Sequence, residues 1–352
     1  MNKNPILKNI VNILSEKKLQ AYDDFFEMLN LTSDILENED ECYRPKNDDA
    51  EAGGLVDFQN EEKLTVVVPD LHARTFFLQN ILNAKIHDLL EEDDYKVFAE
   101  KNNQIKNKNL TVFEALEADV LRLVFVGDIL HSERNKNRWM KIEQEFAENE
   151  YTGKNICAEM GEGLSLFYAL CLLKVSFTKN VQILKGNHEN ILNETGGGDY
   201  AFKKYAEEGE MCRIFIQCYY GDDILYLMHC VEKGFPVVFV AKNVVVSHAE
   251  PESLFTKNQI INVAKYANVM EGLTWTANGN AQEGSVNFMI ENLIEKDCKD
   301  AVYLAGHRPV KQNYALRQNG KFIQIHNPSK QNVAVVMPGV CFNPECNIKT
   351  VD

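Results

Sequence analysis

The stretch VFVGDILHSER, from Val124 to Arg134, is an apolar run that ends in a Gly-Asp pair and then becomes polar. A short apolar run of this kind predicts a buried strand, and open α/β sheets place their chemistry at the carboxyl ends of such strands. Asp128 is therefore predicted to lie at the tip of a strand, on an edge of a sheet where a ligand can bind.

Four further stretches show the same pattern of an apolar run followed by polar residues. They are VVVPDLH from Val66 to His72, VQILKGNHE from Val181 to Glu189, VVVSH from Val244 to His248 and VYLAGH from Val302 to His307. A single histidine after a strand is more often a structural hydrogen-bond partner than a ligand, so each motif alone is a weak signal. Together they predict an α/β protein in which Asp, Asn and His side chains meet at one sheet edge.

The chain is predicted to contain two regions. Residues 1–62 are expected to form an N-terminal helical extension, with helical periodicity over 6–31, followed by an acidic, turn-rich loop over 37–62. Residues 63–352 are expected to form the main domain, with a helical insertion at about 85–118. The function of that insertion cannot be inferred from its residues.

Hydrophobic patterning predicts the remaining elements of the main domain. Helices are expected over 163–173 and 199–209, and strands over 224–228, 237–246, 322–325 and 333–336. The glycine run from Gly196 to Gly198 lacks the Lys-Ser/Thr end of a P-loop, so it is predicted to be a flexible turn.

Composition limits the classes of partner. The 352 residues carry a net charge of −15, so no basic excess is present to bind nucleic acid or an anionic membrane. A protein of this charge that binds phosphate needs local positive charge, which metal ions would supply. The nine cysteines form no Cys-x-x-Cys pair, and neither a signal peptide nor a run of about 18 apolar residues is seen. We therefore expect a cytoplasmic protein; the sequence leaves its oligomeric state open.

The residue types at the strand ends suit divalent metal ions. Carboxylate and amide oxygens combined with imidazole suit Mn, Fe, Zn or Mg, whereas a closed structural zinc site would use thiolates. An aspartate whose two oxygens bridge two ions can hold them about 3.5 to 4 Å apart, the spacing at which a hydroxide nucleophile forms near neutral pH. Two divalent metal ions are therefore the expected cofactors, with Mn as the first choice.

In this order, the motifs resemble those of the calcineurin-like metallophosphoesterases, and within them the phosphoprotein phosphatase (PPP) family of serine/threonine phosphatases and its bacterial relatives. The family motifs are Gly-Asp-x-His-Gly, Gly-Asp-x-x-Asp-Arg-Gly, Gly-Asn-His-Glu, His-Gly-Gly and a late Gly-His. Here they read PDLHA from Pro69, GDILHSER from Gly127, GNHE from Gly186, SHA from Ser247 and GHRP from Gly306. The resemblance covers residues 64 to 310 and implies a four-layer α/β/β/α metallophosphoesterase sandwich.

The resemblance also implies two metal sites that share one aspartate. The first would be formed by Asp70, His72 and Asp128, and the second by Asp128, Asn187, His248 and His307. Pro309 stands where the wider superfamily often has a second histidine that completes the first site. The first ion is therefore expected to keep a position open to water.

The catalytic groups follow less directly from the resemblance. His188 resembles the family's general acid, which protonates the leaving alcohol and is normally oriented by a carboxylate. Either His131 or Glu133 could be its partner, and Glu133 is preferred because a carboxylate stabilises an imidazolium. Arg134 is expected to clamp the phosphate through a bidentate contact, with an ordinary salt bridge as the alternative.

The family's second clamping arginine has no counterpart near Trp275, because no arginine occurs between Pro251 and Gly306. Arg74 and Arg308 each stand beside a ligand motif, so either could substitute for it.

These features predict a binuclear metal-dependent phosphoesterase that hydrolyses phosphate monoesters. A protein phosphorylated on serine or threonine is the first choice of substrate. A dinucleoside polyphosphate or other small phosphoester is the second, because GHRP at Gly306 resembles the Gly-His-Thr-Pro of bacterial members. A catalytically inactive, phosphate-binding scaffold is the alternative from another class.

Overall fold

The computed structural model of the chain describes residues 5–102, 109–295 and 298–352. In these ranges the helices are α1 (Pro5–Glu16), α2 (Tyr22–Glu37), α3 (Thr75–Asn83), α4 (Ile86–Leu89), α5 (Glu92–Lys101), α6 (Val112–Glu117), α7 (Lys136–Ala147), α8 (Lys154–Ser176), α9 (Glu208–Tyr220), α10 (Asp222–Gly234), α11 (Lys257–Ile261), α12 (Ala267–Thr274), α13 (Ser285–Leu293) and α14 (Pro344–Asn347). The strands are β1 (Leu55–Asp57), β2 (Leu64–Val68), β3 (Leu121–Phe125), β4 (Val181–Ile183), β5 (Val238–Ala241), β6 (Val244–Ser247), β7 (Val302–Ala305), β8 (Ala315–Arg317), β9 (Phe322–Gln324), β10 (Asn332–Val336) and β11 (Ile348–Thr350).

The first sheet carries three of the predicted motifs. Its strand order is β11-β10-β2-β3-β4, in which β2, β3 and β4 are parallel and β10 is antiparallel to β2. Val66 pairs with Leu123, and Leu123 pairs with Val181. Because the three parallel strands run in one direction, their carboxyl ends open onto the same edge of the sheet.

The second sheet carries the other two motifs. Its order is β1-β5-β6-β7-β9-β8, in which β6, β7 and β9 are parallel and β5 is antiparallel to β6. Ser247 ends β6 and Ala305 ends β7, directly before the fourth and fifth motifs. These two motifs therefore also leave their sheet at a common edge.

The two sheets pack face to face, and helices cover both outer faces. Along β2, Val67 packs between the sheets while Val66 and Val68 face the helices, as the alternation of side chains along a strand requires. Helices α12 and α13 contribute Val269 and Leu293 to the apolar core behind the second sheet. This arrangement is the predicted four-layer α/β/β/α sandwich.

The N-terminal helices share the apolar core of the first sheet. Helix α2 packs against α8 and α10, and α1 packs against α8 and α3. Glu39, just after α2, is buried and accepts hydrogen bonds from Arg44 and from Lys174 of α8, each at 2.5 Å. Burial raises the pKa of Glu39, but the two cations outweigh it and the net shift is downward. A buried ion-pair network therefore ties this region to the rest of the protein.

The segment 37–62, predicted to be a loop, contains a strand. Strand β1 pairs in parallel with β5, with Leu55 opposite Val238, at the edge of the second sheet. The prediction fails here because a strand of three residues is too short to show a periodicity. Strand β1 therefore belongs to the second sheet of the sandwich, although it lies before residue 62, where the main domain was predicted to begin.

Two other predicted elements are wrong. Most of 199–209, predicted to be a helix, lies outside any helix, and α9 begins only at Glu208. Residues 224–228, predicted to be a strand, lie inside α10. A five-residue apolar run does not distinguish a strand from a buried helix segment, and the buried residues of α10 recur at helical spacing: Ile224, Leu225, Met228 and Val231.

Among the described helices, α8 is long and apolar enough to cross a membrane by length and composition alone. However, 72% of its most apolar window is buried inside the protein, where it packs against α1, α2 and α7. Such burial is typical of a core helix.

The insertion predicted at about 85–118 contains α4, α5 and α6 within the described residues. Lys101 of α5 pairs with Glu62, and Glu62 also pairs with Lys242 in the turn between β5 and β6. That turn lies opposite the end of β6 that carries the fourth motif. Helix α5 of the insertion, which carries Lys101, therefore lies away from the edge where the motifs meet.

Candidate metal centre

The five predicted strand ends meet at one edge of the sandwich, where glycines allow close approach. A Cβ atom on Gly306 would lie only 1.8 Å from Oδ1 of Asp70. Gly127 has a φ of 100°, and a Cβ on it would lie 2.3 Å from the amide nitrogen of Gly186. No side chain fits at either position, so the glycines of these motifs are required by contact between the strand ends.

Several residues of the motifs have a left-handed backbone. The φ angles are 43° at His72, 53° at Asp128, 61° at His131 and 62° at His307. This conformation is uncommon for residues other than glycine and costs on the order of 1–3 kcal/mol each. A cluster of such residues at one edge is typical of a functional site, because the surrounding structure must enforce it.

The second predicted site is a compact group of donor atoms. Oδ1 of Asn187 lies 2.9 Å from Nε2 of His248 and 3.0 Å from Nδ1 of His307. The two histidine nitrogens are 3.2 Å apart, and Oδ1 of Asp128 lies 3.5 Å from Nε2 of His248. The structure thus brings together all four side chains predicted for the second ion.

The first predicted site lies on the other side of Asp128. Nε2 of His72 is 3.5 Å from Oδ2 of Asp128 and 3.9 Å from Oδ2 of Asp70. All three side chains are buried, and Oδ2 of Asp70 has no hydrogen-bond partner among the described residues. A buried carboxylate oxygen of this kind is costly unless a cation or a donor satisfies it.

Hydrogen bonds determine which histidine nitrogens can bind a cation. Nδ1 of His248 lies 2.9 Å from the carbonyl oxygen of Val126, and Nδ1 of His72 lies 3.1 Å from that of His131. A carbonyl only accepts, so each Nδ1 carries the proton and each Nε2 presents a lone pair. Nε2 of His248 and the side-chain oxygen of Asn187 are then two acceptors that face each other. A cation between them removes this repulsion.

The spacing of the donors fits a pair of divalent ions. Around an ion with bonds of about 2.1 Å, neighbouring ligand atoms lie about 3.0 to 3.4 Å apart. The second site spans 2.9 to 3.5 Å, and the first site is slightly wider, at 3.5 to 3.9 Å. Asp128 directs one oxygen to each site, so its position fits that of a shared ligand.

The protonation states agree with metal binding. Burial lowers the pKa of His72 to about 3 and also lowers that of His248, so both imidazoles are neutral at pH 7. Burial, followed by the charges of Asp70 and Glu189, raises the pKa of Asp128 well above its usual range. Neutral imidazoles bind metals, and a nearby divalent ion would favour the ionised form of Asp128.

Glu189 holds the strand ends together, a role that the sequence analysis does not assign. Its Oε2 accepts from the amides of Asp128 at 2.8 Å and Gly186 at 2.7 Å, and its Oε1 accepts from the amide of Ile129 at 2.9 Å. Burial raises the pKa of Glu189, although these three amides oppose the shift. The signal was present in the sequence, because Glu189 is the last residue of the GNHE motif.

His188 lies beside the metal ligands. Its amide donates to Oδ1 of Asp128 at 3.0 Å, and the ring of Phe202 stacks on its imidazole with the centroids 4.5 Å apart. The ring of His131 is 5.1 Å away, and Nε2 of His131 lies 3.6 Å from Oε1 of Glu208. Burial and the neighbouring histidines hold the pKa of His188 well below its usual value. His131, backed by Glu208, is thus adjacent to the predicted general acid.

Glu133, predicted to orient His188, makes its contacts elsewhere. Its Oε1 pairs with Lys204, while its Oε2 lies 3.2 Å from Nε2 of His326 and 3.6 Å from Nε2 of His72. Burial raises the pKa of Glu133, but the neighbouring histidines and Lys204 outweigh burial, so the net shift of the pKa is downward. The carboxylate of Glu133 therefore contacts the first metal site.

The three predicted arginines differ in their availability. Arg134 and Arg308 are exposed, and within the described ranges their side chains make no hydrogen bond or ion pair. Arg74 is buried, and its guanidinium donates to the carbonyls of Leu71 and Asn327, both at 3.1 Å. The guanidinium of Arg74 is thus occupied by backbone carbonyls, whereas that of Arg308 is exposed; the role of either arginine as a phosphate clamp stays a prediction.

His326 is the residue of this site that the sequence analysis omits. It lies two residues after β9, is fully buried, and places Nδ1 3.8 Å from Oδ2 of Asp70. Donor atoms of Asp70, His72 and His326 all lie within 4.8 Å of one another. The sequence does contain an indication of this histidine. FIQIH from Phe322 is a mostly apolar run that ends in a histidine, as in the other motifs.

No family model matches the chain, and no curated protein matches it. Among solved structures, a protein serine/threonine phosphatase from Saccharomyces cerevisiae with similarity to human phosphatase PP5 matches with a TM-score of 0.57 and 13% identity, over 96% of this chain and 91% of that one. A cold-active protein-tyrosine phosphatase of the psychrophile Shewanella sp. matches with a TM-score of 0.44 and 14% identity, over 84% and 82%. The first likeness confirms the predicted fold, the metallophosphoesterase sandwich.

Proposed function

We propose that this protein is a binuclear metal-dependent phosphoesterase that hydrolyses phosphate monoesters. The observation that supports this most strongly is the position of Asp128 between two groups of donor atoms, with one carboxylate oxygen 3.5 Å from a histidine of each group. A single carboxylate shared in this way is the arrangement used in two-metal hydrolytic sites.

The metal ions, when bound, supply charge neutralisation and an activated water for attack on phosphorus. The chain supplies the remaining functions. The side chains of Asp128, Asn187 and Glu189 form a fixed, buried framework, so little reorganisation is required when the substrate binds. The left-handed backbone at Asp128 is part of this preorganisation.

His188 is proposed to give its proton to the leaving alcohol. The stacked ring of Phe202 restrains its imidazole, and the hydrogen bond from its backbone amide to Oδ1 of Asp128 fixes its backbone. Burial and the neighbouring histidines keep the pKa of His188 low, so the negative charge of a bound phosphate is needed to favour the protonated form. His131 and Glu208 are proposed as positioning residues, because the ring of His131 lies 5.1 Å from that of His188 and the Glu208 carboxylate places negative charge 3.6 Å from Nε2 of His131.

Arg134 and Arg308 are proposed to bind the non-bridging oxygens of the phosphate. Both guanidinium groups are exposed and uncommitted within the described part of the chain, and Arg308 directly follows His307. Planar guanidinium groups bind phosphate through paired hydrogen bonds, which a lysine does not reproduce.

The preferred substrate is a protein phosphorylated on serine or threonine. The described part of the helical insertion, residues 85–102 and 109–118, lies at the opposite edge of the sandwich and forms no cap over the metal centre. The exposed arginines at this edge can therefore meet a phosphate on a large molecule. We also propose that Mn²⁺ is the native ion and that the protein is cytoplasmic, since its nine cysteines are all free.

The test is to remove metal with a chelator, reload the protein with MnCl₂, and measure hydrolysis of p-nitrophenyl phosphate, a serine phosphopeptide and diadenosine tetraphosphate side by side. We expect hydrolysis only after reloading, with the phosphopeptide preferred. Preference for the dinucleotide would make the small phosphoester the substrate. A protein that binds Mn²⁺ but hydrolyses none of the three would instead be a phosphate-binding scaffold.

A further inference from the structure

We propose that His326 is a fourth protein ligand of the first metal site, held in its ligating form by Glu133. The inference rests on the proposed pair of metal sites and extends it. It replaces the water-filled position that Pro309 implied with an imidazole from a different strand.

Hydrogen bonding determines which nitrogen of His326 is free. Nε2 lies 3.2 Å from Oε2 of Glu133, which only accepts, so the proton is on Nε2 and the lone pair is on Nδ1. That lone pair is 3.8 Å from Oδ2 of Asp70, and both atoms are buried without a hydrogen-bond partner among the described residues. The separation is too long for a hydrogen bond but suits two ligands of one cation.

His326 is held in place by the loop of the fifth motif. Its carbonyl accepts from the amide of Val310 at 2.8 Å, immediately after Pro309. On the same strand, Gln324 donates to the carbonyl of Gly306 at 3.0 Å. The backbone that places Pro309 next to the first site therefore also places the imidazole of His326 there.

Arg74 fixes His326 relative to Asp70. Its guanidinium donates to the carbonyl of Asp70, to that of Asn327 at 3.1 Å and to that of Lys330 at 2.9 Å. These three bonds join the loop after β2 to the turn after β9. The buried arginine therefore connects the two segments that carry the facing donor atoms of the first site.

Glu133 is positioned to support His326. Lys204 pairs with its Oε1, and the hydroxyl of Tyr205 donates to its backbone carbonyl at 2.7 Å. Oε2 is thus left to accept from His326. A carboxylate behind a ligating histidine fixes the orientation of the ring and increases its basicity, and loss of such a group typically weakens metal binding by about 10–100-fold.

The proposed ligand changes the composition of the first site. Without His326 the site has one imidazole and two carboxylates; with it, the site has two of each. A second imidazole favours ions such as Zn²⁺ and Fe²⁺ over Mg²⁺, which prefers oxygen ligands. We therefore expect the first site to discriminate strongly against Mg²⁺.

The experiment measures metal content and affinity. Chelator-treated wild type, His326→Ala, His307→Ala and the double variant are titrated with MnCl₂ by calorimetry, and bound Mn is counted after gel filtration. We expect two ions in the wild type, one tightly bound ion in each single variant and none in the double variant, with first-site affinity reduced at least about 100-fold by His326→Ala. His87→Ala, at an exposed histidine, is the control and should bind two ions.

Glu133→Gln tests the same site without removal of the ligand. It should lower the affinity of the first site for Mn²⁺ by about 10–100-fold and leave that of the second site unchanged. This test applies even if His326→Ala does not fold. If Glu133→Gln or a folded His326→Ala binds two ions with the affinity of the wild type, the role of His326 is wrong but the proposed function still stands. A wild type that binds no Mn²⁺ would overturn the proposed function together with this role.

Discussion

The two halves of the metal centre are built in different ways. The donors of the second site come from four strand-end motifs and lie within 2.9 to 3.5 Å of a neighbour. The first site has a wider spacing, 3.5 to 3.9 Å, and in our proposal it is completed by His326, which follows a strand outside the five motifs and is supported by Glu133. The second site is thus complete from the motifs alone, whereas the first site depends on a residue from another part of the chain.

The largest expected effect comes from the residue that both sites share. Asp128→Asn removes the negative charge that the two ions have in common, so we expect loss of both ions and at least about a thousandfold lower hydrolysis of p-nitrophenyl phosphate, since metal catalysis contributes several kcal/mol. Asp119→Asn, just before the opposite end of the same strand, is the control and should retain activity. An Asp128→Asn protein that keeps even one tightly bound ion would show that the two sites are independent.

A second prediction separates proton transfer from both sites. His188→Asn should lower the hydrolysis of an alkyl phosphate by about 10²–10⁴-fold, because an alkoxide is a poor leaving group, but should affect p-nitrophenyl phosphate much less. Metal content should stay at that of the wild type. His131→Asn should show the same leaving-group dependence to a smaller extent, and equal effects on both substrates would contradict the assigned roles.

A third prediction concerns stability. An ion that binds only the folded protein, at 100 times its dissociation constant, stabilises it by about 2.7 kcal/mol. Urea unfolding with and without MnCl₂ should therefore show that the metal raises the free energy of unfolding of the wild type by roughly twice this amount. For His326→Ala or His307→Ala the increase should be about 2.7 kcal/mol, and for Asp128→Asn we expect none. An equal gain in the wild type and in His326→Ala would argue that the first site binds no ion.

The smallest effects are expected at the exposed arginines. Arg134→Ala and Arg308→Ala should each raise KM for a phosphopeptide by up to about tenfold, equivalent to roughly 1.4 kcal/mol, with metal content unchanged. Arg213→Ala, which removes an arginine paired with Glu210, is the matched control. If only one of the two arginines changes KM, the phosphate is held mainly at the site nearest that residue.

The sequence predicts the second site well because its signal is local. Each of Asn187, His248 and His307 lies within three residues of the end of an apolar run, and the parallel strands bring those ends together. The four-layer fold follows from the same pattern. The strand predicted over 224–228 fails because five apolar residues fit a buried helix equally well, and this is resolved only by packing against α2.

The first site is harder to predict because its completion depends on tertiary contacts. The position of Glu133 is determined by Lys204, Tyr205 and His326, which are remote along the chain. The motif predicts that the carboxylate of Glu133 orients His188, and no residue close to Glu133 in the sequence indicates its contact with His326. The position of His326 depends on Arg74, whose hydrogen bonds to two loops are visible only in three dimensions.

The donors extend from Asp70 to His326, nearly the whole length of the main domain. Their convergence requires the closure of several long loops and the docking of both sheets, so the complete centre is a feature of very high contact order. Filling of the first site should therefore coincide with a late step of folding, and a nascent chain would complete that site only after β9 and His326 have been synthesised.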